Sequence, residues 1–200
     1  MNIIKRIFKN HFIRLHGKNN VVNVNLDKKI FVKIYGDNNK VIIEDTPHPF
    51  VSKILIGTYD CRVNNCTVKI GKNCSSNGLN IHLMEDDSFV KIGDDCMFSF
   101  SVDIWASDTH SILDKSDNLI NLGKSVEIGN SVWIGQDARI CKNTLIPDNC
   151  IVGISSVVTK KFETKNCVIA GNPAKVVKED IKWNRMRPKQ YLEYIKSKNY

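Results

Sequence analysis

The side chains best suited to acid–base chemistry in this sequence are its five histidines. An unperturbed imidazole gains or loses a proton near neutral pH, so any of them is a candidate general base. His110 stands apart, because it lies in the polar sequence Ser-Asp-Thr-His-Ser. Asp108 or Asp103 is a candidate to orient its ring, although turn formation or solvation accounts for these aspartates equally well. The other histidines are His11, His16, His48 and His82.

The elements that must position these residues follow from a repeat of six. Between residues 126 and 160, an aliphatic residue recurs at every sixth position without a slip. The pattern Ile-Gly, two polar residues and a small or medium residue also occurs four times. A helix would need a period of 3.6, which residues 20–158 do not show. The aliphatic positions are Ile128, Ile134, Ile140, Ile146, Val152 and Val158, and the four patterns begin at Ile70, Ile92, Ile128 and Ile134.

This repeat predicts an all-β coil. In a short strand the residues at i and i−2 face the same side, and the Gly-polar-polar step supplies a sharp corner. Three sides close a coil of about eighteen residues, and stacked coils bury one continuous core. Upstream the repeat is looser, and two spacings of eleven residues mark shortened corners. The predicted inward pairs there are Val22/Val24, Val32/Ile34, Val41/Ile43, Ile54/Ile56, Val68/Ile70, Leu79/Ile81, Val90/Ile92 and Val102/Ile104.

One segment interrupts the coil. Residues 106–124 break the repeat, which then resumes in phase. Long loops on a rigid scaffold are a usual place for functional residues. The sequence therefore predicts a loop extruded from one corner, and this loop contains His110.

The seven cysteines point to packing rather than to chemistry. Their odd number, in a chain whose start has no long apolar run, predicts reduced thiols in the cytosol. Cys74, Cys96 and Cys150 occupy the small inward position of the repeat, where a thiol packs as a compact hydrophobe. No Cys-x-x-Cys pair is present, so we predict neither a zinc site nor a catalytic cysteine.

The net charge of +8 is confined to the two ends of the chain. Residues 1–18 sum to +5 and residues 160–200 to +7, whereas residues 19–159 sum to −4. A protein built around a nucleic-acid groove more often spreads positive charge over its main body. We therefore expect no nucleic-acid partner, and basic tails in solvent account for the charge of the two ends before any motif is considered.

Three features of the sequence carry a likeness to a known family: the hexads, the interrupting loop and the segment VVTKKFETKNCVIAGNPAKVVK (157–178). Together they resemble the hexapeptide-repeat acyltransferases, most of all their sugar O-acetyltransferase branch. The resemblance covers residues 20–180 and is most specific over 92–178. It implies a left-handed parallel β-helix, a homotrimer with active sites between subunits, and acetyl-CoA as the co-substrate. The implied reaction is transfer of an acetyl group to a sugar hydroxyl of a bacterial surface polysaccharide.

The resemblance also assigns roles to individual residues. His110 matches the family's catalytic histidine, which would take the proton of the attacking hydroxyl in a direct transfer. Trp133 matches a tryptophan beside the thioester, although an aromatic residue covering a neighbouring subunit fits this position too. His82 is a candidate to line the acceptor cleft. The predicted catalytic residues are thus His110, Trp133 and Asp108, and the predicted coenzyme A-binding residues are Gln136, Ile154, Ser155, Thr159, Lys160, Lys175 and Lys178.

The ends are expected to be helical. Residues 1–18 are predicted to form an amphipathic helix that caps the coil of residues 19–178, since apolar residues between positions 3 and 15 share one helical face. The alternative is that this basic helix contacts an anionic membrane. The protein, expected in the cytoplasm, would then lie at the inner face of the membrane. Residues 179–200 are predicted to form a helical segment, interrupted by Pro188, that packs across the trimer or over the coenzyme A edge.

Other functions remain to be weighed against this one. N-acetylation of an amino-sugar nucleotide uses the same scaffold. A non-catalytic coil that serves as a binding or structural module would need neither the histidine loop nor the lysines after residue 159. A γ-type carbonic anhydrase needs three histidines around zinc, and of the three histidines within residues 19–178 only His82 and His110 are candidates for a site, so we expect no metal.

Overall fold

The strands of the chain alternate inward and outward residues, and this alternation produces one continuous core. The computed structural model describes residues 6–8, 11–24, 28–123 and 125–198. All the predicted inward pairs from Val32/Ile34 to Val102/Ile104 are buried, which confirms the predicted repeat, and Val22 and Val24 are half-buried against the same core. The six aliphatic positions from Ile128 to Val158 are buried as well.

The strands pair almost entirely in parallel, each with the strand one coil further along. The strands are β1 (Arg6–Phe8), β2 (His11–His16), β3 (Val21–Asn23), β4 (Lys29–Tyr35), β5 (Lys40–Ile43), β6 (Phe50–Ile56), β7 (Thr67–Ile70), β8 (Ser75–Leu83), β9 (Phe89–Ile92), β10 (Met97–Phe98), β11 (Val102–Trp105), β12 (Ser125–Ile128), β13 (Trp133–Ile134), β14 (Arg139–Ile140), β15 (Thr144–Ile146), β16 (Ile151–Val152), β17 (Val157–Val158), β18 (Val168–Gly171) and β19 (Ala174–Lys178), and the helix is α1 (Pro188–Lys198).

Of the three sides of the coil, two belong to one sheet, because β8 is long enough to pair with β10 at its start and with β11 near its end. The third side is a separate sheet in the order β15-β12-β9-β7-β5-β3.

The Gly-polar-polar step forms the corners as predicted, and the structure shows why each residue type is needed. At one corner, Asn130 Oδ1 accepts a hydrogen bond of 2.8 Å from the backbone N–H of Asp94, its equivalent in the adjacent coil. Asp148 Oδ1 accepts in the same way from Asn130 N. A Cβ on Gly93 would lie 2.5 Å from Asn130 Oδ1, so only glycine lets the two coils approach this closely.

The thiols at the small inward positions are buried and unpaired, as predicted. Cys74 Sγ donates to Gly93 O at 3.3 Å, and Cys96 Sγ donates to Gly129 O at 3.2 Å. Cys150 is fully buried, and its sulfur lies 3.5 Å from that of Cys167, which is also a free thiol. Burial raises the pKa of the Cys66 thiol to about 11, so this cysteine stays protonated and unreactive at neutral pH.

The predicted N-terminal helix is wrong. Residues 6–8 and 11–16 form two antiparallel strands, and residues 1–5, 9 and 10 of the predicted helix lie outside the described residues. β2 pairs in parallel with β4, and it places Ile13 and Leu15 against the core. The apolar residues of this segment satisfy a period of two as well as 3.6. The segment forms a strand rather than a helix because its backbone hydrogen-bonds to the open edge of β4. The coil therefore continues through β2, in place of the predicted helix.

The C-terminal segment is helical only in its second half. Residues 179–187 form neither helix nor strand, and Pro188 begins α1 rather than interrupting a helix. Proline suits the first turn of a helix, where its missing N–H has no partner to lose. None of the residues of α1 is buried within the chain.

Candidate active site

The loop that contains His110 leaves the coil directly after β11. Ala106 and Ser107 are still buried, and the chain then turns outward as a hairpin. Leu113 and Leu119 form an antiparallel bridge, and Ile120 N donates to Ile112 O at 2.9 Å. Asp114 Oδ1 closes the tip by accepting hydrogen bonds from two backbone N–H groups of the turn. The excursion predicted from the break in the repeat is thus an ordered hairpin.

Asp108 fastens this hairpin to the coil. Its Oδ2 lies 2.6 Å from the ammonium nitrogen of Lys142, which projects from the corner after β14. The same oxygen accepts a hydrogen bond of 2.9 Å from Asn121 Nδ2, and Lys142 also donates to the backbone oxygen of Asn121. The hydrogen bond from Lys142, followed by that from Asn121, lowers the pKa of the Asp108 carboxyl. Asp108 is therefore a carboxylate at neutral pH, and its role here is to hold the loop.

His110 lies at the base of the hairpin beside Asn121. The Asn121 amide donates to His110 O at 2.8 Å, and its oxygen accepts from Ile112 N, so one side chain ties both arms together. The preceding residue, Thr109, has a φ of +70°. This is an unfavourable conformation for a β-branched residue, and such conformations concentrate at functional sites. The His110 side chain is exposed, at a groove of about 300 Å³.

Neither predicted aspartate orients the His110 ring within the chain. Asp108 is taken up by Lys142 and Asn121, and the Asp103 carboxylate accepts a hydrogen bond of 2.8 Å from Asn80. Two other acids, Glu85 and Asp86, line the groove together with His110. The Oε2 atom of Glu85 is buried and has no hydrogen-bond partner among the described residues. Sequence reasoning missed Glu85, whose position at a corner of the coil gave no signal of chemistry.

Trp133 projects outward from β13 and is half-buried against its own chain. The Trp183 ring lies 6.1 Å from the Trp133 ring at an angle of 46°, and Trp183 Nε1 donates to Ser131 O at 2.7 Å. The Nε1 atom of Trp133 is buried and has no partner among the described residues. The side chain predicted to lie beside the thioester is thus packed under the C-terminal segment.

Arg185 holds the C-terminal segment in place. Its Nη1 donates to Ser75 Oγ at 2.6 Å, and its Nη2 lies 2.8 Å from Cys96 O. The same nitrogen lies 3.0 Å from the carbonyl oxygens of Asn73 and Asp95. One guanidinium therefore satisfies the corners of two successive coils. The sequence showed Arg185 only as one of several basic residues near the C-terminus.

The predicted coenzyme A-binding residues fall at two corners and one terminal hairpin. Gln136, Ile154 and Ser155 lie together at the corner that follows β13 and β16, where Ser155 N donates to Gln136 O at 2.8 Å. Thr159 and Lys160 lie at the next corner, after β17, on the side from which the His110 loop leaves. All five are exposed. The remaining two, Lys175 and Lys178, are exposed on β19.

His110 and Trp133 do not meet within one chain. His110 belongs to the loop after β11, on the second side of the coil, whereas Trp133 lies on β13, on the first side. His82, the residue predicted to line an acceptor cleft, stacks on Trp105 with ring centroids 4.0 Å apart. Burial lowers the pKa of His82, so it is neutral at pH 7. Among the described residues, no group of acidic, histidine or cysteine side chains has the arrangement of a metal site.

Known proteins are similar to this chain in sequence and in fold. The chain is 34% identical over 199 residues to a polysialic acid O-acetyltransferase of Neisseria meningitidis, covering 88% of this chain and 90% of that protein. The crystal structure of a polySia-specific acetyltransferase superposes with a TM-score of 0.67 at 28% identity, over 94% of this chain and 98% of that one. No protein-family model matches the chain.

The chain therefore belongs to the hexapeptide-repeat sugar O-acetyltransferases, which confirms the resemblance seen in the sequence. Within that family it is similar to polysialic acid O-acetyltransferases in particular. A second such protein, from Escherichia coli O1:K1, is 36% identical over 109 residues, which is 54% of this chain and 35% of the length of that relative. Among the described residues, no helix combines the length and apolar character needed to cross a bilayer.

Proposed function

We propose that this protein transfers an acetyl group from acetyl-CoA to a hydroxyl of a sialic acid-containing capsular polysaccharide. The similarity to the polysialic acid O-acetyltransferase of Neisseria meningitidis supports this acceptor most directly, since it extends over nine-tenths of that relative. The cysteines of the core are free thiols, which is typical of proteins inside the cell. Acetyl-CoA is present in that compartment, so the acceptor is proposed to be acetylated there.

His110 is the proposed general base. A sugar hydroxyl is a weak nucleophile, so its proton must leave as its oxygen attacks the thioester carbonyl. In the proposed step the new C–O bond forms, the C–S bond breaks, and the proton passes from the hydroxyl through His110 to the departing thiolate of coenzyme A. The exposed ring of His110, on a hairpin held by Asp108, Asn121 and Lys142, supports this role.

The proposed active unit is a homotrimer with each site between two chains. Trp133 and His110 lie on different sides of one chain, so a site that uses both must draw them from different subunits. The hairpin also exposes a row of aliphatic side chains, which a neighbouring subunit would cover. Their exposed fractions are 51% for Ile112, 51% for Leu113, 44% for Leu119, 61% for Ile120 and 62% for Leu122.

Coenzyme A is proposed to lie along the exposed corners of the C-terminal coils. Its amide-rich arm would follow Gln136, Ile154 and Ser155, with Trp133 beside the thioester, and its phosphates would pair with Lys160 or with lysines of β19. The exposed lysines Lys175 and Lys178 supply point charges rather than the two-pronged contact of arginine. Thr159, beside Lys160, completes this proposed set.

The experiment that tests the acceptor is a transfer assay with a panel of glycans. Purified protein and acetyl-CoA are incubated with polysialic acid, with neutral capsular polysaccharides and with amino-sugar nucleotides, and products are scored by a mass gain of ~42 Da for acetyl. Acetylation of hydroxyls on polysialic acid is expected. Acetylation of the amino-sugar nucleotides alone would contradict the proposal.

The trimer is tested by mixing inactive variants. His110→Ala and Trp133→Ala chains are refolded separately and together, and their assembly is measured by light scattering. If each site takes His110 from one chain and Trp133 from the next, mixed trimers regain activity that neither variant has alone. Failure of properly assembled mixtures to regain activity would contradict a shared site.

A further inference from the structure

One flat side of the coil presents aromatic and basic side chains in rows. Strands β2, β4, β6, β8 and β11 stack in parallel register on this side, so their outward residues align across the strands. We call the aligned outward residues the aromatic–basic face. Its first row is Phe12, Phe31, Lys53, Asn80 and Asp103, its second row is Arg14, Lys33, Leu55, His82 and Trp105, and its third row is His16 and Tyr35.

Aromatic rings of neighbouring strands stack flat on one another across this face. The Phe12 and Phe31 rings are 4.8 Å apart and 10° from parallel, and the His16 and Tyr35 rings are 4.4 Å apart and 5° from parallel. At the other end of the face, Trp105 stacks on His82 and keeps 38% of its surface exposed. The three stacked pairs form separate apolar patches, on which the apolar faces of sugar rings can lie.

Three cations lie against these rings. The Arg14 guanidinium is 4.1 Å from the centroid of Phe12, and the Lys33 ammonium is 4.9 Å from that of Tyr35. The Lys53 ammonium is 6.0 Å from the centroid of Phe31. Contact with a ring limits the freedom of a long side chain, so less entropy is lost when it binds an anion.

The basic side chains of the face have no carboxylate partner in the part of the chain that the structure describes. None of Arg14, Lys33 and Lys53 forms an ion pair with a carboxylate of the described residues. Asp103, at the β11 end of the first row, is the one acid in the three rows, and Asn80 donates to it. Residues 19–159 have a net charge of −4, so the basic side chains of this face are a local feature.

The face leads to the catalytic loop. Trp105 ends both the second row and β11, and the hairpin with His110 begins at the next residues. Four steps between neighbouring strands separate β2 from β11, which corresponds to about 19 Å. A ligand extended along the second row from Arg14 to Trp105 would therefore approach His110 with one end while cations hold the remainder.

We propose that the aromatic–basic face binds an anionic polysaccharide over several sugar units and delivers one unit to the His110 loop. This inference rests on the proposed function and deepens it, because it assigns a surface of the coil that would hold several units of the acidic acceptor away from the reacting one. Arg14, Lys33 and Lys53 would pair with carboxylates of the chain, and the stacked rings would contact its apolar faces. Trp105 and neutral His82 would meet the unit nearest the loop.

Direct binding without acetyl-CoA tests the face separately from catalysis. The probe is long polysialic acid, compared with the same polymer after amidation of its carboxylates and with double-stranded DNA. The test variant is Arg14→Gln/Lys33→Gln/Lys53→Gln. The matched control is Lys40→Gln/Lys69→Gln/Lys91→Gln, which removes three exposed outward charges from β5, β7 and β9 on another side of the coil. Thermal unfolding checks that both variants are folded.

The test variant should bind long polysialic acid about tenfold or more weakly, the control should bind like the wild type, and added salt should weaken wild-type binding. Amidated polymer should bind poorly to all three proteins. Equal losses in both variants, or no loss in the test variant, would overturn the proposal. Tighter binding of DNA than of polysialic acid would overturn the choice of a glycan.

Transfer kinetics separate this inference from the proposed function. With a short sialic acid acceptor, the test variant should keep wild-type kcat, while its KM for the long polymer rises. If wild-type protein acetylates no glycan but binding still depends on the face, the proposed function fails and the anion-binding surface stands. If short and long acceptors are affected equally, the face does not act as proposed.

Discussion

The ammonium nitrogen of Lys142 lies 2.6 Å from Asp108 Oδ2, and this contact joins the rigid coil to the loop that contains His110. The Lys142 side chain is only 16% exposed, so the pair is shielded from solvent on one side. Asn121 binds the same carboxylate and the backbone of His110, so the position of the histidine depends on all three residues. Asp108 therefore positions the loop, whereas the sequence made it one of two candidates to orient the imidazole.

Replacing Lys142 by methionine should reduce activity by loosening the hairpin. We expect kcat to fall by about 10–100-fold, since misplacing a catalytic group by about 1 Å is enough for such a loss. The matched control is Lys165→Met, which breaks an exposed pair with Asp148 at 2.9 Å on another corner. The control should cost at most about 1 kcal/mol of stability and leave kcat unchanged. Equal activity of the Lys142 variant and the wild type would show that the pair does not position the loop.

The Asp108 contact should also make the stability depend on pH. The pKa of this carboxyl is lowered in the folded protein, mainly by the hydrogen bond from Lys142, so the contact stabilises the fold fully above the unfolded pKa of about 3.8. That contribution is lost as the pH falls through the folded pKa. The free energy of unfolding of the wild type should therefore exceed that of Asp108→Asn by a constant amount at pH 5–7, and the difference should shrink below about pH 4. A difference that grows on acidification would contradict this.

Glu85 should influence His110 across the shared groove. Its Oε2 is buried without a partner among the described residues, and it lines the groove beside the histidine. We expect Glu85→Gln to lower kcat about tenfold or more and to shift the acidic limb of the pH–rate profile, because removing a nearby negative charge makes an imidazole easier to deprotonate. Asp86→Asn, an adjacent acid at the same groove, is the control. A lower kcat with an unchanged pH profile would assign Glu85 a structural role only.

Arg185 should determine whether the C-terminal segment covers Trp133. Its guanidinium donates four hydrogen bonds to the coil, so Arg185→Gln should destabilise the protein by about 1–3 kcal/mol and free Trp183 from the Trp133 ring. Tryptophan fluorescence should then shift to longer wavelength. Arg187→Gln, at an exposed position two residues further on, should change neither property. An unshifted spectrum in the Arg185 variant would mean that other contacts hold the segment.

The coil was predictable because its determinants are local and repeated. An inward residue such as Val90 or Ile104 is fixed by strand alternation, and a corner such as that at Gly93 by the need for a residue without a side chain. The loop was predictable for the same reason, as a break in a regular pattern. The seven candidate coenzyme A positions came from the family resemblance, and all of them lie on exposed corners or on the terminal hairpin.

The remaining features depend on contacts between distant parts of the chain. The segment from His11 to His16 fits a helix and a strand equally well by its own residues, and pairing with β4 selects the strand. The contacts of Lys142 with Asp108 and of Arg185 with Ser75 join polar residues whose partners no periodic pattern specifies. The rows of the aromatic–basic face likewise appear only when five strands are set in register.

The central claim, acetyl transfer that depends on His110, is tested most directly by steady-state release of coenzyme A thiol with polysialic acid as acceptor. His110→Ala should lower kcat by about 10²–10⁴-fold, as expected for loss of a general base, while the mass of the assembled protein stays that of the wild type. His48→Ala, a half-buried histidine far from the loop in sequence, should keep full activity. Wild-type turnover by a correctly assembled His110→Ala protein would contradict the account.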